Sequence, residues 1–341
     1  MNSLYAGADE DKTPDEPKVL PSLEPLSWLT SADSYIADPG LRDAVNVALL
    51  MGQPLLITGE PGTGKTQLAA SIAHEFKQPD SHSTPLLTFH TKSTSTAKDV
   101  FYHYDALRHF HAANHSKALT QADDYISYEA LGLAILLSLA PDDSQRDETV
   151  NKQLPLKFQS RHSVRSIVLI DEVDKAPRDL PNDVLNEFEN MTFTVSETRR
   201  TFKAAQDFRP VLILTSNSEK DLPDAFLRRC IFYHIDFPNH ERLMKIVNKR
   251  LKLNSDFTQQ HLDAAISHFE KIRNLSLKKK PATAELLSWL YVLQKQGIDV
   301  NSRDEETKRN LSSSYSLLAK YKQDKDSMNS FIKMSQQGKE R

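Results

Sequence analysis

Short apolar runs alternate with amphipathic stretches through the first two thirds of the chain. The runs fall at residues 54–58, 86–89, 167–170, 211–215 and 231–235. Consecutive apolar positions are the mark of strands covered on both faces, whereas one-sided strands alternate. Between these runs the period lengthens. Leu68, Ala69, Ile72, Ala73 and Phe76 fall on one side of a helix spanning residues 65–76. Leu41, Val45, Ala48 and Leu49 do the same after the turn Asp38-Pro39-Gly40. Such an alternation predicts an α/β fold, with a central, mostly parallel five-stranded sheet between two layers of helices.

After Phe237-Pro238 the strand pattern stops. Helical periodicity continues over residues 241–251, 259–272 and 283–295, predicting a small all-α domain over residues 239–300. Residues 301–341 are expected to form a helical extension, with one helix over 311–321 and a frayed end. Residues 1–34 are acidic and proline-rich, composition that disfavours a packed core, so order is expected to begin near Tyr35 and the core to span 35–238.

Charge sharpens this division. The formal net charge is −3, but residues 239–341 hold 20 Lys+Arg against 12 Asp+Glu, which is +8. Residues 1–20 carry five acids against two bases, or −3, leaving about −8 for the middle. The single cysteine, Cys230, excludes an internal disulfide. The start of the chain lacks the basic opening and apolar stretch of a secretory leader. The longest apolar run, residues 131–140, has about half the length needed to span a bilayer. A soluble, cytoplasmic protein without membrane contact is expected.

Two segments carry chemistry. The first apolar run leads into Gly59-Glu60-Pro61-Gly62-Thr63-Gly64-Lys65-Thr66, the pattern G-x-x-x-x-G-K-T between a strand and a helix. Its glycines let the backbone curl so that successive N–H groups converge on phosphate oxygens, and the helix N-terminus adds partial positive charge. Lys65 supplies a cation for the β- and γ-phosphates of ATP, and the Thr66 hydroxyl a ligand for Mg2+. The third run ends in Asp171-Glu172. Carboxylates are tolerated on a strand buried on both faces only where it emerges, and ligands of open α/β sheets bind at that edge. Asp171 is the candidate magnesium ligand, and Glu172 the candidate group that polarises the attacking water.

Together these segments resemble the AAA+ superfamily of P-loop NTPases, and neighbouring stretches resemble its MoxR-like branch. The similar stretches are residues 54–66, Thr91-Lys92-Ser93-Thr94, Lys175-Ala176-Pro177 after the two acids, and Leu222-Pro223-Asp224-Ala225-Phe226-Leu227-Arg228-Arg229. The resemblance covers about residues 35–295. It implies a homo-oligomeric, hexameric ring that binds ATP at subunit boundaries beneath a helical lid. It also implies that Asn217 is the polar residue orienting the water, and that Arg229, or its neighbour Arg228, is an arginine finger for the next subunit. One departure stands out: Glu285 occupies the place where the family often has a lid arginine, with Lys279 and Lys280 as possible substitutes.

The resemblance further implies an insertion over about residues 95–128 facing a pore or partner. Its aromatic residues suit contact with a polypeptide, or packing beneath the insertion; His103, His109, His111 and His115 match no metal spacing. Asp174 and Asp179 read as solvated turn residues. Three functions compete. The leading one is a chaperone-like motor acting on a protein client, for which MoxR-like proteins suggest a von Willebrand factor A domain protein. A DNA-acting motor rests on the basic C-terminal part alone, so nucleic acid is not the expected partner. A nucleotide-gated scaffold with little hydrolysis rests on Glu285.

Overall fold

Among the described residues, nine strands form between residues 55 and 235: β1 (Leu55–Gly59), β2 (Leu86–His90), β3 (Tyr102–Tyr104), β4 (Ile126–Tyr128), β5 (Ile167–Asp171), β6 (Thr192–Val195), β7 (Arg200–Lys203), β8 (Val211–Thr215) and β9 (Ile231–Ile235). The computed structural model describes Trp28 and residues 31–78, 83–115, 121–159, 162–217, 222–254 and 257–337. Most of the expected N-terminal tail and the last four residues lie outside that description. The five apolar runs form one sheet in the order β2-β5-β8-β1-β9, with every neighbouring pair parallel. Among the described residues, no helix is long and apolar enough to cross a membrane.

Alternate strand residues feed two cores, as the period of two requires. Leu55, Ile57, Leu169 and Ile213 pack with Leu41, Leu68 and Ile72 from helices α1 (Pro39–Met51) and α2 (Lys65–Glu75). Leu56, Val168, Ile170, Leu212 and Leu214 face the other way, against Leu131, Ile135 and Phe193. Helix α1 starts where expected, because Asp38 accepts the Leu41 N–H and Pro39 presets the first turn; Gly52 ends it in the left-handed region.

The apolar run at residues 131–140 forms a helix, Ala130–Ser138, buried on every side. Gly132 lets it press on the preceding backbone, since a Cβ there would lie 2.0 Å from the Phe101 carbonyl oxygen. That backbone belongs to the segment expected to be an insertion. Here β3 and β4 pair antiparallel and carry the helix Ala106–His115 between them. Its aromatic residues divide between the two expectations. Phe101 and Tyr102 are buried, with Phe101 stacked on Phe193 at 5.3 Å, and His109 stacks on Tyr125 at 4.5 Å. Leu107 and Phe110, one helical turn apart, are exposed.

A second hairpin, β6–β7, has no counterpart in the sequence reading. Its strands alternate correctly, with Phe193, Val195 and Phe202 buried, but four residues each is too short for the alternation to stand out.

Residues 35–237 form one compact unit, and residues 238–341 belong to another. Helices His240–Arg250, Gln259–Arg273 and Thr283–Gln296 follow the predicted spans within a residue or two. The helix expected over 311–321 is a correction. The chain is helical over Glu305–Ser314, turns, and is helical again over Lys322–Gln337. The turn buries Tyr315 and Leu318, and Trp289 donates from Nε1 to the Ser314 hydroxyl at 2.8 Å. Anchoring the turn in the aromatic core outweighs helical periodicity. Glu285 has a local role: its carboxylate accepts the Ala282 N–H at 3.1 Å, capping the helix that follows.

Candidate functional site

The loop between β1 and α2 is built on backbone angles that only glycine adopts freely. Gly59, Gly62 and Gly64 have φ of 144°, 78° and 93°. At Gly59 space is also short, because a Cβ would stand 2.6 Å from the Ile235 carbonyl oxygen. Thr63 closes the turn by donating its hydroxyl to the Glu60 carbonyl at 2.8 Å. Helix α2 begins at Lys65, and its N-cap, Gly64, has no side chain with which to cap the first N–H groups.

Lys65 turns back into this curl and is only 7 % exposed. Its ammonium donates to the Gly59 carbonyl at 2.7 Å, the Glu60 carbonyl at 3.0 Å and Asn217 Oδ1 at 2.8 Å. Burial lowers its pKa, opposed by the charges of Asp174, Asp171, Glu172 and Glu60. A buried cation held by three neutral oxygens, with four carboxylates nearby, is placed to exchange those contacts for an anion.

The acids stand opposite. Asp171 ends β5, and its Oδ1 accepts from the Thr66 hydroxyl at 3.0 Å and the Thr215 hydroxyl at 2.5 Å. His90, its register partner on β2, brings Nδ1 to 3.5 Å from Oδ2. Glu172 is left-handed at φ 57°, unusual for a residue with a side chain. Its N–H donates to the Thr215 hydroxyl at 2.9 Å, and its carboxylate pairs with Lys175.

Asn217 follows β8 and donates its backbone N–H to Asp174 at 3.1 Å. Asp174 is therefore no freely solvated turn residue, as its position in the sequence suggests, but a fixed support for Asn217. Neither Asp174 nor Thr215 was singled out by the sequence as part of a site. The one hint for Thr215 is a hydroxyl closing an otherwise apolar strand.

These residues meet the requirements of a nucleoside triphosphate with a divalent ion. The curl of Gly59, Glu60, Pro61, Gly62, Thr63 and Gly64 is open to oxygens where side chains would intrude. The hydroxyl of Thr66 and the carboxylate of Asp171 lie together, as hard oxygen donors suited to magnesium.

Arg229 is the exception, for it lies at the other edge of the sheet. Strands β1 and β9 run parallel, with Leu55 beside Ile231 and Gly59 beside Ile235. Lys65 follows the C-terminal end of β1, whereas Arg229 precedes the N-terminal end of β9. Five residues of strand, roughly 17 Å, separate the two edges. The Arg229 side chain is half exposed, with Nη1 donating to the Ala225 carbonyl at 3.1 Å and Nε 3.4 Å from Glu189.

Compared with known families, residues 54–230, just over half of the chain, match the AAA domain (dynein-related subfamily). No curated protein gives a significant match. The matched span opens just before β1 and closes just after Arg229.

Proposed function

The chain belongs to the AAA domain (dynein-related subfamily), and from that premise we propose that it hydrolyses ATP with magnesium as part of a homo-oligomeric, hexameric ring. The observation that carries this reading is the meeting of Lys65, Thr66, Asp171 and Asn217 at the C-terminal edge of the sheet. ATP enters with its β- and γ-phosphates in the curl of residues 59–66. Lys65 gives up the Gly59 and Glu60 carbonyls for phosphate oxygens, and the N-terminal N–H groups of α2 bind the rest. Thr66 and Asp171 would hold the magnesium, whose charge would offset that of the phosphates.

Glu172 orients a water and draws its proton, after leaving Lys175. Asn217 aligns the same water or the γ-phosphate, steadied by Asp174. Arg229 cannot serve its own subunit from the far edge of the sheet, so it completes the site of a neighbour. In a lone subunit it rests on Glu189, a half-exposed pair worth at most about 1 kcal/mol. Release on assembly therefore costs little.

We assign the chain to the MoxR-like branch on Lys175-Ala176-Pro177 and the stretch Leu222-Pro223-Asp224-Ala225-Phe226-Leu227. On this reading the work done is the remodelling of a protein client, with a von Willebrand factor A domain protein as the expected class. The exposed Leu107 and Phe110 of the insertion suit a polypeptide partner. The deciding experiment is steady-state ATP turnover by the purified chain with magnesium and with EDTA. Turnover that requires magnesium and rises with protein concentration supports the reading; its absence at concentrations where oligomers form refutes it.

A further inference from the structure

Thr215 closes the central strand β8 and is fully buried, yet it is polar. Its single hydroxyl touches both acids of the site, at 2.5 Å from Asp171 Oδ1 and 2.9 Å from the Glu172 nitrogen. The direction of each bond is forced. The amide N–H can only donate, so the hydroxyl accepts there; the ionised carboxylate can only accept, so the hydroxyl proton goes to Asp171.

Both contacts cross from one strand to the next, since β5 and β8 are neighbours with Ile170 beside Leu214. Two residues further on, the same chain presents Asn217 to Lys65. Glu172 meanwhile holds a left-handed backbone that a side chain disfavours. The Thr215 hydroxyl is the bond that fixes the Glu172 N–H in that conformation, and with it the direction in which the carboxylate leaves the strand.

We propose that Thr215 is a positioning residue for the reaction: it sets the spacing of Asp171 and Glu172 and couples both to the segment that carries Asn217. The proposal rests on the ATPase reading and adds a residue to it. Thr215 itself touches neither nucleotide nor water; it acts through the two acids. Thr66 and Asp171 are the residues that would hold magnesium, and Thr215 is a donor to Asp171 that stands outside that pair.

The test compares Thr215→Val, which keeps the shape and removes the hydroxyl, with Thr215→Ser, which keeps the hydroxyl. In Thr215→Val, kcat should fall by about 10- to 100-fold, the scale of a misplaced catalytic group, with KM for ATP changed less than about threefold. The magnesium concentration for half-maximal turnover should rise. Thr215→Ser should restore kcat and the magnesium requirement to within about threefold of the parent, as a merely space-filling role would not. If the valine protein does not fold, Thr215→Cys takes its place, because a thiol fills the site but bonds weakly.

A kcat for Thr215→Val within about twofold of the parent overturns the proposal, as does a serine variant no better than the valine. If the parent itself turns over no ATP, the ATPase reading falls and Thr215 is judged on binding instead. A fluorescent ATP analogue should then need more magnesium for half-maximal binding in Thr215→Val than in the parent, and the parent's amount in Thr215→Ser. Equal magnesium dependence in all three proteins overturns the proposal.

Discussion

Lys65 and Glu172 divide the proposed reaction between holding and cutting, and their surroundings show why neither can do the other's work. The Lys65 ammonium is buried and satisfied only by neutral oxygens, so it has affinity for an anion to spare. Lys65→Ala should abolish ATP binding, measured by equilibrium titration with a fluorescent analogue. Undiminished affinity would remove the loop from the site. Glu172 reaches out from the strand end toward Lys175 and has no part in the phosphate curl. Glu172→Gln should bind ATP as the parent does while turnover falls by about a hundredfold or more, the usual share of a general base. Near-normal single-turnover rates in that variant would show that another group activates the water.

What the sequence displays at this scale is chemistry in consecutive residues. Residues 59–66 and 171–172 announce themselves because each sits at the end of an apolar run. Thr215 and Asp174 do not, since their roles depend on which strands and turns become neighbours, and only the sheet order decides that.

Among the elements, β1, β5 and β8 are legible because burial on both faces leaves nearly unbroken apolar runs, while the half-exposed β2 and β9 keep enough apolar positions to show as well. The β6–β7 hairpin was not, since its four-residue strands carry too few alternations. The chain end was misread because Leu311, Leu317 and Leu318 keep apolar spacing through a turn that the aromatic core imposes. That core also has a measurable acid response. His268 packs against both Trp289 and Tyr315, hydrogen-bonds the Tyr315 hydroxyl, and is held down to a pKa of about 4 by burial and then by Lys271. Above its ordinary value of 6.5 both folded and unfolded forms are neutral, and the residue adds no pH dependence. Between 6.5 and 4 the unfolded chain takes up a proton that the folded helical unit refuses, so stability falls, by up to about 3 kcal/mol.

His240 opposes this trend. Its two nitrogens lie 2.9 Å from Glu270 and Asp263, which raise its pKa. Its contribution is complete below pH 6.5 and is lost as the pH rises through the folded value. Thermal melts followed by Trp289 fluorescence should therefore show a smaller loss of stability from pH 7 to pH 4.5 in His268→Gln than in the parent. Parallel curves would mean that His268 does not remain neutral in the fold.

For the molecule as a whole, the decisive fact is that the phosphate curl and Arg229 lie at opposite edges of one sheet. A subunit therefore offers its arginine in one direction and its nucleotide in another. Arg229→Ala and Lys65→Ala proteins should each be inactive alone, and mixing them should restore part of the ATPase activity, because some boundaries then pair an intact curl with an intact arginine. No recovery at any mixing ratio, with mixed oligomers shown to form, would count against a shared site. Placing Arg228 in the same test assigns the finger, a choice that two adjacent arginines leave open.

The strand order has one more consequence, and it concerns synthesis. Strand β1, which bears the phosphate curl, leaves the ribosome early, yet both its partners come late: Leu55 pairs with Ile213 on one side and Ile231 on the other. Until those segments emerge, an apolar strand with two open edges waits without its neighbours, in the exposed state that favours aggregation and engages chaperones. A nascent chain stopped at residue 205 should accordingly capture no nucleotide, whereas one extended past residue 237 completes both pairings and should acquire the binding site in a single late step.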